Sequence, residues 1–168
     1  MIKKLSTDQL SEAFSIIESV IAKMNAEQIF QWDEQYPSRE IIKKDISEGS
    51  AFGFFQSDEL RGYIVLNEEY SPEYNSLEWK DKNGTALIVH RLSIKADCQG
   101  QGIAKQLMMF AEEYAINRGN SSIRLDAFLH NKAALSLYDN LGYTKVGTVT
   151  FRKGEFYCYE KVFLCSSI

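Results

Sequence analysis

The sequence lacks the features that build disulfide-stapled, zinc-bound and membrane-spanning proteins. It contains three cysteines and no Cys-x-x-Cys pair, so neither a complete disulfide framework nor a structural zinc site is expected. We expect free thiols at Cys98, Cys158 and Cys165 and predict no metal site. No uninterrupted apolar run is long enough to span a bilayer. Residues 1–4 lead straight into a capped helix, which argues against a signal peptide, so a cytoplasmic location is expected.

An excess of basic charge is also missing. The chain has 19 Lys and Arg residues against 23 Asp and Glu residues, and its formal net charge is -4. Because a general nucleic-acid binder needs a basic surface, nucleic acid is not an expected partner, and neither is a membrane. A small cationic partner suits this charge better.

What the sequence does have is the composition of one soluble globular domain. Its 168 residues are 45% hydrophobic and 25% charged. A chain of this length buries roughly 70% of the surface that its unfolded form exposes, so it needs no disulfide or metal for stability. The sequence contains no internal repeat and no low-complexity tract. We therefore predict a single domain over residues 1–168.

Hydrophobic periodicity and capping residues predict four helices and six strands. The predicted helices cover residues 7–24, 39–49, 103–118 and 132–141, and the predicted strands cover residues 51–55, 61–66, 86–94, 122–128, 143–149 and 155–163. The central strand, helix and strand imply a parallel pair, whereas the flanking hairpins are antiparallel. We therefore predict an α/β (α+β) fold with a mixed, mainly antiparallel central sheet, one central parallel strand pair and helices on both faces.

The most informative stretch is residues 99–104, with the sequence Gln-Gly-Gln-Gly-Ile-Ala, which joins strand 86–94 to helix 103–118. Two glycines spaced by one residue allow a tight turn with inward N–H groups, and the helix N-terminus adds unpaired amides and a positive dipole end. Such a turn can cradle a phosphate. A dinucleotide-binding fingerprint would need a third glycine at the position that Lys105 occupies. A Walker loop would need Gly-Lys followed by Ser or Thr, which is absent. Both motifs are therefore disfavoured. By itself, the turn is equally compatible with an ordinary connection between a strand and a helix.

Three motifs together resemble the GNAT superfamily of acyl-CoA-dependent N-acyltransferases. They are residues 90–94 (His-Arg-Leu-Ser-Ile), residues 99–104, and Asn131-x-x-Ala134-x-x-x-Tyr138-x-x-x-Gly142-Tyr143. The resemblance covers residues 86–149 well. It implies an acetyl-CoA cosubstrate whose diphosphate binds the amides of residues 101–104, whose pantetheine runs along residues 92–94 and whose sulfur lies towards Tyr138. The cofactor-binding residues that it implies are Leu92, Ser93, Ile94, Gln99, Gly100, Gln101, Gly102, Ile103, Ala104, Asn131 and Tyr138.

Acyl transfer from a thioester to an amine needs a neutral nucleophile and a protonated leaving thiolate. Removing the proton of an alkylamine at pH 7 costs about 4 to 5 kcal/mol in water, and a nearby base lowers this barrier. Some GNAT members place a Glu on the strand before the turn, but residues 86–94 contain none. His90 is a candidate base, directly or through water, and Glu68 and Glu69 are alternatives. The resemblance gives Tyr138 the role of proton donor to the CoA sulfur.

Each of these residues also has a structural explanation. By strand alternation, His90 shares a face with Ile88, Leu92 and Ile94, which favours a packed, hydrogen-bonded histidine. Without the resemblance, Tyr138 would be a packed tyrosine of an amphipathic helix. Asn131 serves as a helix cap in any fold. These alternatives stay open on the sequence alone.

The amine acceptor is assigned to the parts of the chain with the least resemblance. These are the N-terminal helices, the first hairpin and a long excursion over residues 67–84. The excursion is acidic, and its Tyr70, Tyr74 and Trp79 could stack on a cation. We predict a small-molecule or peptide amine as the acceptor and direct transfer in a ternary complex. We interpret Cys98 as incidental, because direct transfer needs no covalent acyl-enzyme.

Two other functions compete with an active N-acetyltransferase. One is a non-catalytic CoA-binding module of the same fold, which the missing strand Glu permits. The other is a nucleotide-binding protein with a different transfer chemistry. The chain is also a possible homodimer, formed by pairing of strand 155–163 with its copy.

Overall fold

The computed structural model describes residues 1–164, which form four α-helices and a seven-stranded sheet. The helices are Leu10–Ala26 (α1), Arg39–Ser47 (α2), Ile103–Asn117 (α3) and Lys132–Asn140 (α4). The strands are Ile2–Lys4 (β1), Ala51–Gln56 (β2), Glu59–Asn67 (β3), Ala86–Ile94 (β4), Ser122–Phe128 (β5), Thr144–Phe151 (β6) and Gly154–Val162 (β7). The strand order is β1-β2-β3-β4-β5-β7-β6. The β4–β5 pair is parallel, so the predicted mixed, mainly antiparallel sheet with one parallel pair is confirmed.

All of the predicted helices and strands are present, and the bounds of β4 and β5 agree with the prediction at both ends. The prediction missed β1, because three residues that include two lysines are too short to show strand alternation. Antiparallel pairing of Ile2 with Phe54 of β2 decides its conformation. The first helix begins later than predicted, because Thr7–Gln9 forms a 3-10 turn within the Ser6 and Gln9 capping box.

The chain forms two compact units, and β4 contributes to both. Unit 1 comprises residues 1–66 and 90–110. In this unit α1 and α2 present apolar side chains at helical spacing to those of β2 and β3. Ser38 caps α2 as predicted, because its hydroxyl accepts a hydrogen bond from the N–H of Ile41 at 3.4 Å. The core cluster of unit 1 contains Leu5, Ala13, Ile16, Ile17, Val20, Met24, Trp32, Ile42, Ile46, Ala51, Phe55, Leu60, Tyr63 and Val65.

Unit 2 comprises residues 67–89 and 111–164. In it, β4 pairs in parallel with β5 over residues 86–88, and β7 pairs in antiparallel fashion with both β5 and β6. The strand expected to pair across a homodimer is therefore an interior strand. The prediction that this strand pairs with its copy in a dimer is wrong, because both edges of β7 are already hydrogen-bonded within the chain.

The described residues include two of the three cysteines. Cys98 and Cys158 carry free, buried thiols, as predicted, and Cys165 lies outside the described residues. Within residues 1–164, no helix combines the length and the apolar character that crossing a membrane requires. The assignment of the whole chain to a single domain stays a prediction.

Candidate active site

The turn before α3 has the backbone geometry of an anion site. Gly100 and Gly102 adopt left-handed conformations, with φ of +77° and +80°. A β-carbon at either position would meet no protein atom within 4 Å. The first hydrogen bond of the helix runs from the N–H of Gln106 to the carbonyl of Gly102 at 3.2 Å. The N–H groups of residues 103–105 therefore precede the helical ladder and have no partner inside the helix.

Close packing of α3 on β3 fixes the position of this turn within unit 1. A β-carbon at Gly62 of β3 would lie only 2.9 Å from Cδ1 of Leu107 and 3.0 Å from Cγ2 of Ile103. Both side chains are buried. Because no side chain at position 62 separates them from the strand, the first turns of α3 rest directly on the backbone of β3.

The predicted pantetheine-binding residues lie at the end of β4. Leu92 is half-buried, whereas Ser93 and Ile94 are buried. The Ser93 hydroxyl donates to the carbonyl of Arg91 at 2.9 Å. The side-chain amide of Gln99 donates to the carbonyl of Ile94 at 3.2 Å. The glutamine side chain thus ties the glycine turn to the strand that precedes it.

Arg91 lies within β4 and is held by a buried network that sequence reasoning missed. Its φ is +51°, a left-handed conformation that a residue with a β-carbon rarely adopts. Its Nε donates to Oδ2 of Asp45 at 2.8 Å, and its Nη2 contacts the other oxygen of the same carboxylate. Its Nη1 donates to the Tyr36 hydroxyl at 2.9 Å, and the Tyr63 hydroxyl donates to Asp45 at 2.8 Å.

The effect of this network is a fixed, charged guanidinium inside unit 1. Burial alone would lower the pKa of Arg91, but the Tyr36 hydroxyl and the Asp45 carboxylate raise it. One feature of the sequence could have predicted this ion pair. Asp45 lies on the same face of α2 as Ile42 and Ile46, where a lone carboxylate needs a buried partner.

The left-handed Arg91 also bears on the expectation for His90. The expectation that His90 shares a face with Leu92 and Ile94 assumed unbroken alternation along β4. A residue in a left-handed conformation breaks the alternation of side chains, so the face cannot be counted across it. His90 is half-buried on β4.

Tyr138 lies on α4 in a cluster of aromatic rings in unit 2. Its ring centroid is 6.0 Å from that of Tyr143 and 5.6 Å from that of Tyr159, and its side chain is buried. Asn131 caps α4 as predicted, because its Oδ1 accepts from the N–H of Ala134 at 3.2 Å. Burial, followed by the negative charge of Asp126, raises the pKa of Tyr138. The phenol is therefore a neutral hydrogen-bond donor at physiological pH.

Asp126 is a second residue that sequence reasoning missed. It lies on β5, is half-buried, and accepts a hydrogen bond from the Tyr74 hydroxyl at 2.6 Å. Desolvation raises the pKa of its carboxyl, and the Tyr74 hydrogen bond offsets only part of this rise. The sequence signal was a carboxylate between Leu125 and Ala127, inside a strand whose other side chains are mostly apolar.

The two buried thiols are not activated as nucleophiles. Burial and then the charge of Asp126 raise the pKa of Cys158 to about 12. Burial and the neighbouring Asp97 also raise the pKa of Cys98. Because the thiolate is the reactive form, neither thiol is ready for acyl transfer at neutral pH. No group of three or more His, Cys, Asp or Glu side chains in residues 1–164 is placed to hold a metal ion.

The excursion over residues 67–84 is anchored to unit 2, which corrects its predicted role. Tyr74 and Trp79 are buried, so these two rings are not free to stack on an acceptor cation. The guanidinium of Arg124 already lies 4.4 Å from the centroid of Trp79. Tyr70 is exposed.

Backbone hydrogen bonds also hold the excursion in place. The N–H of Lys80 donates to the buried carboxylate of Glu160 at 2.7 Å.

The two alternative bases, Glu68 and Glu69, are both exposed. Glu68 accepts a hydrogen bond from the side-chain amide of Asn120 at 3.0 Å. Their exposure leaves both carboxylates in a solvated environment.

Comparison with known proteins agrees with this topology. A GNAT-family acetyltransferase from Streptococcus agalactiae aligns with a TM-score of 0.83 at 23% identity, over 98% of this chain and 96% of that one. The PaiA N-acetyltransferase of Thermoplasma acidophilum, solved in complex with coenzyme A, aligns with a TM-score of 0.73 at 21% identity, over 97% and 98% of the two chains. At these identities the likeness shows a shared fold.

Sequence comparison identifies the family as well as the fold. The chain is 27% identical over 119 residues to an uncharacterised N-acetyltransferase, YesJ, of Bacillus subtilis, covering 70% of this chain and 66% of that protein. Three curated relatives are matched over 57% to 66% of their own length. The pattern of the Acetyltransferase (GNAT) family matches residues 17–143. The chain therefore belongs to the GNAT acetyltransferase family.

Proposed function

We propose that this protein is an N-acetyltransferase that moves an acetyl group from acetyl-CoA to a primary amine of a small-molecule or peptide acceptor, directly in a ternary complex. The observation that carries the proposal is the turn before α3. There, Gly100 and Gly102 are left-handed, and the N–H groups of residues 103–105 precede the first helical hydrogen bond. Family membership and the CoA-bound structure of a protein with the same fold support the choice of ligand.

The turn fits a diphosphate in both shape and charge. The space beyond Gly100 and Gly102 is open, so a bulky anion can approach the main chain. Residues 99–105 carry one cation, Lys105, and no carboxylate. We propose that the main-chain amides of residues 101–104 hold the diphosphate of CoA, because backbone N–H groups at a helix N-terminus favour negative charge.

Bound acetyl-CoA supplies the acetyl group as a thioester. We propose that main-chain groups of residues 92–94 bind the pantetheine arm. The carbonyl of Ile94 can contribute although it accepts from Gln99, because a carbonyl oxygen has two lone pairs. Asn131 is proposed to contact the cofactor or an active-site water.

Tyr138 is proposed to stabilise the leaving sulfur. From reference pKa values, full transfer of a phenol proton to a thiolate is uphill by about 2 kcal/mol. Burial and the charge of Asp126 raise the pKa of Tyr138 and so make full transfer less favourable. A hydrogen bond donated by the neutral phenol is therefore the form of assistance that this site favours. For the base that deprotonates the amine, His90 is the candidate on β4.

A matched pair of glycine variants tests the turn. In Gly102→Ala we expect the affinity for acetyl-CoA to fall at least about tenfold, equivalent to about 1.4 kcal/mol. The new methyl group enters the open space where the anion binds, and the left-handed conformation adds strain of about 1–2 kcal/mol. Gly119→Ala is the control, because Gly119 has the same φ of +80° and equally open surroundings but lies at the end of α3. Both variants should lose similar stability in urea, and only Gly102→Ala should lose affinity.

Thermal stabilisation and turnover together test the activity. We expect acetyl-CoA and CoA to raise the melting temperature more than ATP or NAD does. We also expect release of free CoA from acetyl-CoA when a suitable amine from a panel is added. Stabilisation without turnover on any amine would contradict the transferase and favour a CoA-binding module. The cytoplasmic location stays a prediction.

A further inference from the structure

Unit 2 contains several buried or half-buried carboxylates, and within residues 1–164 Asp126 differs from Glu160 and Glu112 in having no cation paired with it. Glu160 pairs with Arg124, whose Nε lies 3.2 Å from its Oε2. Glu112 pairs with Lys161 at 2.9 Å. Within residues 1–164 no cation pairs with Asp126. An ionised carboxylate in a desolvated site is unfavourable without a counter-charge, and a cationic ligand would supply that charge.

The groups around Asp126 orient its carboxylate and complement it chemically. The Tyr74 hydroxyl donates to Oδ2 at 2.6 Å and so fixes one oxygen. Cys158 lies opposite Asp126 in the β5–β7 register. The charge of Asp126 acts on both Tyr74 and Tyr138, which places the Tyr138 phenol in its electrostatic environment. Unit 2 thus brings a carboxylate and a neutral phenol into one cluster.

We infer that Asp126, rather than His90, accepts the proton from the ammonium group of the acceptor. This inference rests on the proposed function, because it assigns the base of the same reaction. An ammonium group supplies the cation that the half-buried carboxylate lacks. The carboxylate then has two tasks, to attract the acceptor as a cation and to take one of its protons. Tyr74 is a positioning residue, because it acts through Asp126.

The proposed step balances in atoms and charge. Asp126 takes one proton from the ammonium nitrogen, whose N–H electron pair becomes the lone pair of the neutral amine. That lone pair forms the bond to the thioester carbon, the C–S bond breaks, and its electron pair leaves on sulfur. The Tyr138 phenol stabilises the departing thiolate by donating a hydrogen bond and keeps its proton, and the thiolate takes up the second proton that the nitrogen loses. Asp126 finally releases its proton to water, so the net products are the amide, CoA thiol and one proton.

The pKa shifts in the cluster are those that an acid and base pair needs. Desolvation raises the pKa of Asp126, which makes its carboxylate a stronger base, and the Tyr74 hydrogen bond limits the rise. Burial and the charge of Asp126 raise the pKa of Tyr138, so the phenol keeps its proton at neutral pH. The other titratable groups around Asp126 are Cys158, which stays a thiol, and Arg124 on the same strand, which is paired with Glu160.

Kinetic experiments on three variants test the inference. With acetyl-CoA and an amine substrate, we expect Asp126→Asn to lower kcat/KM at neutral pH about 100-fold. The variant should also lose the rise in kcat/KM with pH that ionisation of the carboxylate causes in the wild type. Tyr74→Phe removes the hydrogen bond that lowers the pKa of Asp126, so the same rise should move to higher pH. Asp81→Asn is the control, because it makes the same chemical change at a carboxylate of the excursion that accepts a hydrogen bond from the Ser122 hydroxyl at 2.8 Å. It should leave the pH profile in place.

Stability of the ligand-free protein gives a readout that does not depend on turnover. Because the pKa of Asp126 is raised on folding, the folded chain binds more protons than the unfolded chain just above the ordinary Asp pKa, and stability falls as pH rises through this window. Asp126→Asn should remove this fall and raise the melting temperature at neutral pH. Burial would raise the pKa of Asp81, but the hydroxyls of Ser121 and Ser122 lower it overall. Asp81→Asn should therefore melt at a lower temperature.

The outcomes separate the inference from the proposed function. An active wild-type protein whose Asp126→Asn variant keeps its rate and its pH profile overturns the inference alone. If His90→Gln loses the rise in kcat/KM with pH and Asp126→Asn keeps it, the inference alone is likewise overturned. A wild-type protein that binds acetyl-CoA but acetylates no amine overturns the proposed function and the inference with it.

Discussion

Tyr138→Phe is expected to lower kcat about 10²- to 10³-fold while leaving the affinity for acetyl-CoA and the stability of the protein nearly unchanged. The ring stays, so its contacts with Tyr143 and Tyr159 survive. Only the hydroxyl is lost, and within residues 1–164 that hydroxyl has no hydrogen-bond partner. Its loss removes the donor that stabilises the leaving thiolate. Release of free CoA, followed with a thiol reagent, measures kcat.

Tyr143→Phe is the matched control for this change. Tyr143 is also a buried tyrosine of unit 2, but its hydroxyl donates to Oε1 of Glu112 at 3.1 Å. Losing a hydrogen bond to a charged group should destabilise the fold by about 1.5–3 kcal/mol. Turnover per folded molecule should change little. Equal turnover in Tyr138→Phe and the wild type would show that the phenol takes no part in the reaction.

Asp45→Ala is expected to lower the free energy of unfolding by about 3–5 kcal/mol, because it leaves Arg91 buried without its carboxylate. The side chains of Arg91 and Asp45 are only 11% and 6% exposed, so little solvent is available to replace the lost partner. The Tyr63 hydroxyl loses its acceptor in the same variant. Urea unfolding followed by tryptophan fluorescence measures the change, since Trp32 is buried in the core of unit 1.

Glu48→Ala provides the comparison at the end of the same helix. Glu48 forms an ion pair with Lys44 at 3.7 Å, and the two side chains are 43% and 60% exposed. Loss of such an exposed pair should change stability by no more than about 0.5 kcal/mol. If Asp45→Ala were no more destabilising than Glu48→Ala, the buried network would not hold Arg91. We also expect Asp45→Ala to weaken acetyl-CoA binding, because a released Arg91 lets the strand beside residues 92–94 relax.

Much of the fold could be predicted because its signals are local. The bounds of β4 and β5 follow from apolar runs that end at turn residues, and the start of α3 follows from the glycine turn. The caps at Ser38 and Asn131 act within three residues of their own position. The three-residue strand β1 was missed because its partner on β2 lies about fifty residues away.

The candidate site was only partly predictable. The glycine turn and Tyr138 were found, because a known family repeats their spacing. Arg91 belongs to the first of the three motifs, but the ion pair that holds its side chain is formed with Asp45, which lies 46 residues earlier. The partner of Asp126 is Tyr74, which lies 52 residues before it. Such long-range pairs leave no periodic pattern in the sequence.

The sequence by itself determined the order of the elements, the phosphate-type turn and the family resemblance, because each depends on residues a few positions apart. Only the tertiary structure decided that Tyr74 and Trp79 are buried anchors, that Arg91 is locked to Asp45, and that the cluster of unit 2 contains a carboxylate without a cation. The physical reason is that burial and charge pairing are set by the neighbours that folding brings together. The same Asp or Tyr is a solvated side chain in one environment and a reactive group in another.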